Sequence, residues 1–101
     1  MKEQELQKEI IKYLKLKRYV VVKFSSVGIF DQKSQTYIPQ RQKGISDILA
    51  LSPDGMFYAI ECKLKYNKPT VEQLEFIESV NKNKGIGFIA YDLDAVIEKC
   101  K

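Results

Sequence analysis

The amino-acid sequence predicts an α/β fold in the order α-β-β-β-α-β-α, with a central mixed sheet flanked by helices. Apolar residues recur at helical spacing over residues 2–18, as expected for an amphipathic helix that packs against a core. Two apolar runs, 46–52 and 56–63, are joined by a Ser-Pro-Asp-Gly segment that is typical of a hairpin turn. Residues 61–91 then read as strand, helix and strand, which predicts a parallel strand pair with a right-handed crossover.

The first half of the chain supplies the opening helix, one strand and a long connection. Residues 19–24 are rich in β-branched and aromatic side chains and predict the first strand. Residues 25–43 have no clear period and are expected to form a long loop, with a short hairpin around residues 37–38. The apolar residues of this loop could cover the core, which we favour, stack on nucleic-acid bases or form a dimer contact: Ile29, Phe30, Tyr37 and Ile38.

The second half begins with the hairpin and closes with two helices and a strand. Thr70 and Gln73 match a capping box, so the second helix is expected to begin at Thr70 and to end near Gly85. A strand over residues 86–91 and a short helix over residues 92–101 complete the order. The predicted inner face of the second helix consists of Leu74, Ile77 and Val80.

The turn also fixes the register of the hairpin. A type I turn followed by glycine in the left-handed region makes a three-residue loop with a bulge. In that register Asp47 lies opposite Glu61, and Leu51 lies opposite Phe57. Because both faces are apolar near the turn, we expect these strands to be central and buried on both sides. The acidic pair is expected at the far end, where the sheet opens to solvent.

Composition indicates a globular protein with an anionic partner. The 101 residues predict one domain, 1–101, with a single modest core. The net charge of +4 and the basic residues clustered over 12–23 favour nucleic acid. The lack of histidine excludes histidine acid–base chemistry and the usual zinc sites. No stretch resembles a membrane span or a signal peptide, so we expect a cytoplasmic protein, in a microbe or a virus-infected host cell, with Cys62 and Cys100 as reduced thiols.

The Asp47–Glu61 pair predicts a metal site. Like charges opposite each other destabilise a sheet, whereas a divalent cation between two carboxylates with Cβ atoms about 4.5–5.5 Å apart would remove the repulsion. The backbone carbonyl of Cys62 could add a ligand, and an all-oxygen set suits Mg²⁺ or Mn²⁺. Lys63 points to the same face as Glu61, where it could orient an attacking water or stabilise charge developing on a phosphate. These parts predict metal-assisted phosphodiester hydrolysis.

A simpler interpretation is that Glu61 and Lys63 are alternating surface charges. Glu-x-Lys alone is a weak signal, because short motifs often occur by chance on exposed strands. Three features favour a functional site instead. These are the opposed Asp47, the apolar surroundings and the position at one end of a central hairpin.

Four short stretches together make the pattern much more specific. They are Glu3 with Gln7, Lys43-Gly44-Ile45-Ser46-Asp47, Ala59-Ile60-Glu61-Cys62-Lys63, and Lys68-Pro69-Thr70 with Gln73. This set, in this element order, resembles the PD-(D/E)xK nuclease superfamily. Within it the chain resembles the virus-type replication-repair nuclease (VRR-NUC) domain, and more distantly the Holliday-junction resolvases. The resemblance covers nearly the whole chain and implies a restriction-endonuclease-like core; Ser46 replaces the proline of the superfamily's name.

The resemblance implies that Asp47 and Glu61 bind the metal and that Lys63 is catalytic. It also places Gln73 close to the site, although a purely structural role in the capping box explains Gln73 equally well.

The resemblance further implies that Glu3, in the first helix, helps to bind metal or water. An acidic residue near a helix N-terminus is also favoured by the helix dipole alone. Glu5 and Glu9 are rival candidates on the same helix.

The predicted function follows from the resemblance: a Mg²⁺- or Mn²⁺-dependent endodeoxyribonuclease of DNA repair that cuts branched DNA, such as four-way junctions or flaps, as a homodimer. Four basic residues flank the motifs and could bind phosphates, although each is also explained as a solvated charge: Arg41, Lys43, Lys65 and Lys68. The alternatives are a non-catalytic nucleic-acid-binding module of the same fold and a basic interaction protein with an accidental motif.

Overall fold

A computed structural model describes residues 1–24, 29–31, 36–38 and 43–100, the two short central ranges by their backbone alone. The predicted α/β order is confirmed, with a small hairpin inside the long connection. No helix of the described ranges is both long and apolar enough to cross a lipid bilayer. The elements are α1 (Glu3–Leu16), β1 (Val20–Lys23), β2 (Ile29–Asp31), β3 (Thr36–Ile38), β4 (Ile48–Leu51), β5 (Phe57–Cys62), α2 (Val71–Lys82), β6 (Ile86–Ala90) and α3 (Leu93–Lys99).

The main sheet is mixed, as predicted, with strand order β1-β4-β5-β6. β4 pairs antiparallel with both β1 and β5, whereas β5 and β6 are parallel and are connected through α2. The predicted hairpin register is confirmed, since Ile48 pairs with Ile60 and Leu51 with Phe57. β2 and β3 form a separate two-stranded sheet.

Alternate residues of each strand face opposite layers of helices. On one face, Leu6, Ile10 and Leu14 of α1 are fully buried and share a core with Ile48 and Ile60. α3 joins this layer through contacts with α1 and β6, and α2 contacts β5 and β6. Since Ile77 of α2 packs on Gly87, which pairs with Ala59, α2 covers the opposite face.

The expectation that both faces of the hairpin are buried near its turn was wrong. On its side of the sheet, α2 contacts β5 and β6 and leaves β1 and β4 partly exposed, because a single helix of 12 residues does not cover four strands. Val20 and Val22 are 63% and 52% exposed, and Leu51 and Phe57 are 43% and 38% exposed. We refer to Val20, Val22, Leu49, Leu51 and Phe57 as the apolar sheet face.

Two details of α2 differ from the prediction. Ile77 and Val80 are buried, but Leu74, in the first turn of the helix, is 49% exposed. The helix ends at Lys82, and the left-handed residue after it is Lys84, with φ 70°, in place of Gly85. Gly85 is needed for space instead, since a Cβ there would lie 2.7 Å from Cγ1 of Val80.

Candidate functional site

Glu61 lies near the end of β5 with its side chain almost completely buried, at 1% exposure. Its Oε2 accepts a hydrogen bond from Nε2 of Gln73 at 3.0 Å and lies 3.8 Å from Nζ of Lys63. Its Oε1 is buried and has no hydrogen-bond partner among the described residues. Because a buried carboxylate oxygen is unfavourable without a donor or a cation, Glu61 is suited to accept one further ligand.

Two hydrogen bonds from backbone N–H groups hold Asp47 beside Glu61. Its Oδ2 accepts from the N–H of Cys62 at 3.0 Å, and its carbonyl accepts from the N–H of Phe24 at 2.7 Å. The first bond joins the loop before β4 to the end of β5, and the second joins it to the residue after β1. The carboxylate is therefore positioned by three neighbouring strands.

The environment strongly disfavours a charged Glu61. Its pKa is raised from 4.5 to about 8, first because burial penalises the anion and second because the Asp47 carboxylate repels it. The ammonium group of Lys63 lowers the pKa, but its effect is smaller. Glu61 therefore tends to hold a proton near neutral pH, and additional positive charge at the site would release that proton.

Gln73 has both of the roles that the sequence left open. Its side-chain Oε1 accepts a hydrogen bond from the backbone N–H of Thr70 at 2.8 Å. The backbone N–H of Gln73 donates to Oγ1 of Thr70 at 3.1 Å, which completes the capping box. Its Nε2 donates to Glu61. The side-chain amide of Gln73 thus helps to cap the start of α2 and also orients Glu61.

Gly44 allows the loop before Asp47 to pack against the start of α2. Its φ is +81°, and a Cβ at this position would collide with the backbone carbonyl of Glu72. Two residues later, Ser46 is fully buried, and its hydroxyl has no partner among the described residues. Tight backbone packing therefore joins the Asp47 loop to the helix that carries Gln73.

Glu3 of α1 contacts the loop that follows β5. Its Oε2 accepts a hydrogen bond from Nδ2 of Asn67 at 2.6 Å. Within the described ranges, no three His, Cys, Asp or Glu side chains form a group that could hold a metal ion. The side-chain ligands brought together here are thus Asp47 and Glu61, and the role of Glu3 stays a prediction; Glu5 and Glu9 are exposed on α1.

Comparisons with known proteins identify the fold. No family model matches the sequence, and no curated protein matches it. A solved structure described as "VRR_NUC domain" matches with a TM-score of 0.69 and 22% identity, over 95% of this chain and 90% of the other. The chain has the VRR-NUC fold. At this level of identity the likeness concerns the architecture alone.

Within the VRR-NUC fold, three of the four predicted basic residues belong to the described ranges and lie on the surface. Lys43, Lys65 and Lys68 are exposed, and Nζ of Lys65 lies 5.7 Å from the centroid of the Tyr66 ring. Arg41 lies outside the described residues. A phosphate-binding role for these four residues stays a prediction.

The residues at the site fit a divalent cation of the Mg²⁺ or Mn²⁺ type. Asp47 and Glu61 offer carboxylate oxygens, which such hard cations prefer. The unpaired buried Oε1 of Glu61 and its raised pKa indicate that the site lacks positive charge. The Cys62 thiol does not compete as a ligand, because its side chain is buried and its pKa is strongly raised by burial.

Sequence reasoning missed one polar contact near the site. Asn67 binds Glu3 across a separation of 64 residues, and no local pattern marks asparagine in a lysine-rich loop as a partner of α1. A signal of this kind becomes visible after the strands and helices have been placed in three dimensions.

Proposed function

We propose that this chain is a Mg²⁺- or Mn²⁺-dependent endodeoxyribonuclease. The observation that carries the proposal is the buried Glu61 carboxylate, which has one oxygen without a partner, beside Asp47 and 3.8 Å from the ammonium group of Lys63. A protein that merely needed a stable sheet would gain from an apolar residue at this buried position. The VRR-NUC fold of a solved domain is consistent with nuclease chemistry.

Each residue has a defined task in this proposal. Asp47 and Glu61 would hold the cation, with the Cys62 carbonyl as a further oxygen ligand, and Gln73 keeps Glu61 in its orientation. When bound, the cation lowers the pKa of a water ligand and polarises the phosphodiester. Lys63 would orient the attacking water or stabilise negative charge that develops on the phosphate, and the 3.8 Å between its Nζ and Oε2 of Glu61 supports this role.

The proposed substrate is branched DNA, such as a four-way junction or flap met in DNA repair, and the proposed assembly is a cytoplasmic homodimer. The net charge of +4 and the exposed Lys43, Lys65 and Lys68 suit a polyanion. A domain of 101 residues offers a small footprint, and a two-fold dimer would present two sites to a symmetric junction. The apolar sheet face supports an association between copies.

The test is a cleavage assay on end-labelled single strands, duplexes, flaps and four-way junctions, with Mg²⁺, Mn²⁺ or EDTA. We expect cutting that requires the metal and that falls by at least about a hundredfold in Glu61→Gln and Lys63→Met, because Glu61 would hold the cation and Lys63 would act on the attacking water or the phosphate. Glu98→Gln, an exposed acid on α3, is the matched control and should retain activity.

The outcomes separate the candidate functions. Binding of DNA without metal-dependent cutting would favour the non-catalytic module. Cutting that persists in Glu61→Gln would refute the assignment of the site. A chain that neither binds nor cuts any of these DNAs would refute the proposal as a whole.

A further inference from the structure

A second surface with a distinct chemistry lies on the other side of the sheet. It is a groove of about 470 Å³ between α1 and the edge strand β1. We refer to it as the lysine groove, and its lining residues are Lys8, Ile11, Lys12, Lys15, Leu16 and Lys23. Lys23 pairs with Ile48, whose side chain lies in the core beneath α1, so the groove faces away from the site of Asp47 and Glu61.

The groove has a concentrated positive charge. Lys8, Lys12 and Lys15 are spaced i, i+4 and i+7 and thus share one face of α1, and Lys23 faces them from β1. All four are exposed, and none forms an ion pair with any described residue. The acidic residues of α1, which are Glu3, Glu5 and Glu9, do not line the groove.

The floor between these charges is apolar. Ile11 is partly buried, whereas Leu16 is 74% exposed at the last turn of α1. The aliphatic stems of the lysines extend this apolar surface. An occupant that offers negative charge alone would leave Ile11 and Leu16 in contact with water.

We propose that the lysine groove binds an acidic amphipathic peptide segment of a partner protein. Carboxylates of the segment pair with the four lysines, and its apolar side chains cover Ile11 and Leu16. Phosphates of a duplex would satisfy the lysines and would leave the apolar floor open, which makes nucleic acid the poorer fit. The site does not depend on the proposed nuclease activity, since none of its residues takes part in that reaction.

The probe is a short fluorescein-labelled peptide with Glu and Asp on one helical face and Leu and Phe on the other. A second peptide keeps every acid but has Ser at the apolar positions, and an unlabelled DNA duplex serves as competitor. We expect the amphipathic peptide to bind the full chain, by fluorescence anisotropy, at least about tenfold more tightly than the serine peptide. Affinity should fall as salt is raised, because the ion pairs are exposed.

Variants assign the binding to the groove. Lys12→Glu with Lys15→Glu should weaken peptide binding by at least about tenfold, and Leu16→Ser should weaken it by a smaller factor of about three. The matched control is Lys82→Glu with Lys84→Glu, which makes the same change in charge on exposed residues at the C-terminal end of α2 and should leave peptide affinity unchanged. Circular dichroism confirms that each variant is folded.

Two results would overturn the proposal. The first is equal affinity for the two peptides together with no effect of Leu16→Ser, which would mean that the groove is an unspecific positive patch. The second is displacement of the peptide by duplex in the low micromolar range combined with loss of duplex binding in the Lys12 and Lys15 variant. That result would assign the groove to nucleic acid, whether or not the chain cuts DNA.

Discussion

The candidate site depends on Glu61, because one of its carboxylate oxygens has polar partners and the other has none among the described residues. Oε2 has both Gln73 and Lys63 as neighbours, whereas Oε1 has no partner among the described residues. A glutamate that is buried, close to another acid and incompletely paired opposes folding when it is charged. This conflict leads to a prediction about stability that needs no substrate.

We predict that, in EDTA, the free energy of unfolding falls as the pH rises from about 4.5 to about 8. The pKa of Glu61 is raised in the fold, so the folded state keeps a proton that the unfolded state has already released, and rising pH favours unfolding. We expect a loss of about 1–3 kcal/mol in wild type relative to Glu61→Gln, measured by urea unfolding across this pH range. Equal pH profiles for the two proteins would contradict the raised pKa.

Gly44 allows a second prediction at the scale of one residue. Gly44→Ala should destabilise the protein by more than about 2 kcal/mol, because it combines a left-handed φ with a collision against the carbonyl of Glu72. Gly55→Ala is the matched control, since Gly55 has a φ of +90° and open space around it, and should cost about 1 kcal/mol. If thermal unfolding shows equal losses, the close approach of the Asp47 loop to α2 is not significant for stability.

Among the elements, the first turn of α2 and the β4–β5 hairpin assemble the site together. The hairpin carries Glu61 and its neighbour Lys63, and the helix supplies Gln73. Because Thr70 takes part in the capping box and not in the contact with Glu61, separate mutations of Thr70 and Gln73 distinguish the two functions of the Gln73 side chain.

We predict that Thr70→Ala lowers stability by about 1 kcal/mol through loss of the cap and leaves DNA cleavage within about threefold of wild type. Gln73→Ala keeps the backbone N–H that donates to Thr70 but loses the side-chain half of the capping box and the donor to Glu61, so it should also lower cleavage by at least about tenfold. Chemical unfolding and cleavage rates measured on both variants check this. Equal cleavage by the two variants would reduce Gln73 to a capping residue.

The elements that could be predicted from sequence are those that local rules determine. The Ser52–Gly55 turn and the alternation of apolar residues set the hairpin register, and Thr70 with Gln73 marked the start of α2. The exposure of Leu51 and Leu74 depends on how far α2 extends over the sheet, which no local pattern records. The contact between Glu3 and Asn67 likewise depends on how α1 lies against the loop after β5.

At the scale of the whole molecule, the described residues cover the two faces of the sheet unequally. α1 and α3 lie on one face, and α2 covers β5 and β6 on the other. The uncovered part is the apolar sheet face, which is exposed apolar area of the kind that marks protein interfaces.

We predict that the protein forms a homodimer through the apolar sheet face, and that Leu51→Lys converts it to a monomer of unchanged fold. A lysine there would place a charge within the buried interface, which is strongly unfavourable. Ile97→Lys is the control, since Ile97 on α3 has a similar exposure, 39% against 43% for Leu51. Light scattering coupled to size exclusion measures the mass; a wild-type monomer, or dissociation by both variants, would refute this interface.

The double use of the Gln73 amide has a consequence for how the molecule responds to ligands. By thermodynamic linkage, whatever shifts Oε2 of Glu61 must also change the stability of the helix that Gln73 begins, and the influence is reciprocal. Amide hydrogen exchange at Gln73 and Leu74, whose N–H groups donate to Thr70, would therefore report changes at the Glu61 carboxylate. Exchange rates in the first turn of α2 would thus change with the state of Glu61 and can be measured in the absence of any DNA.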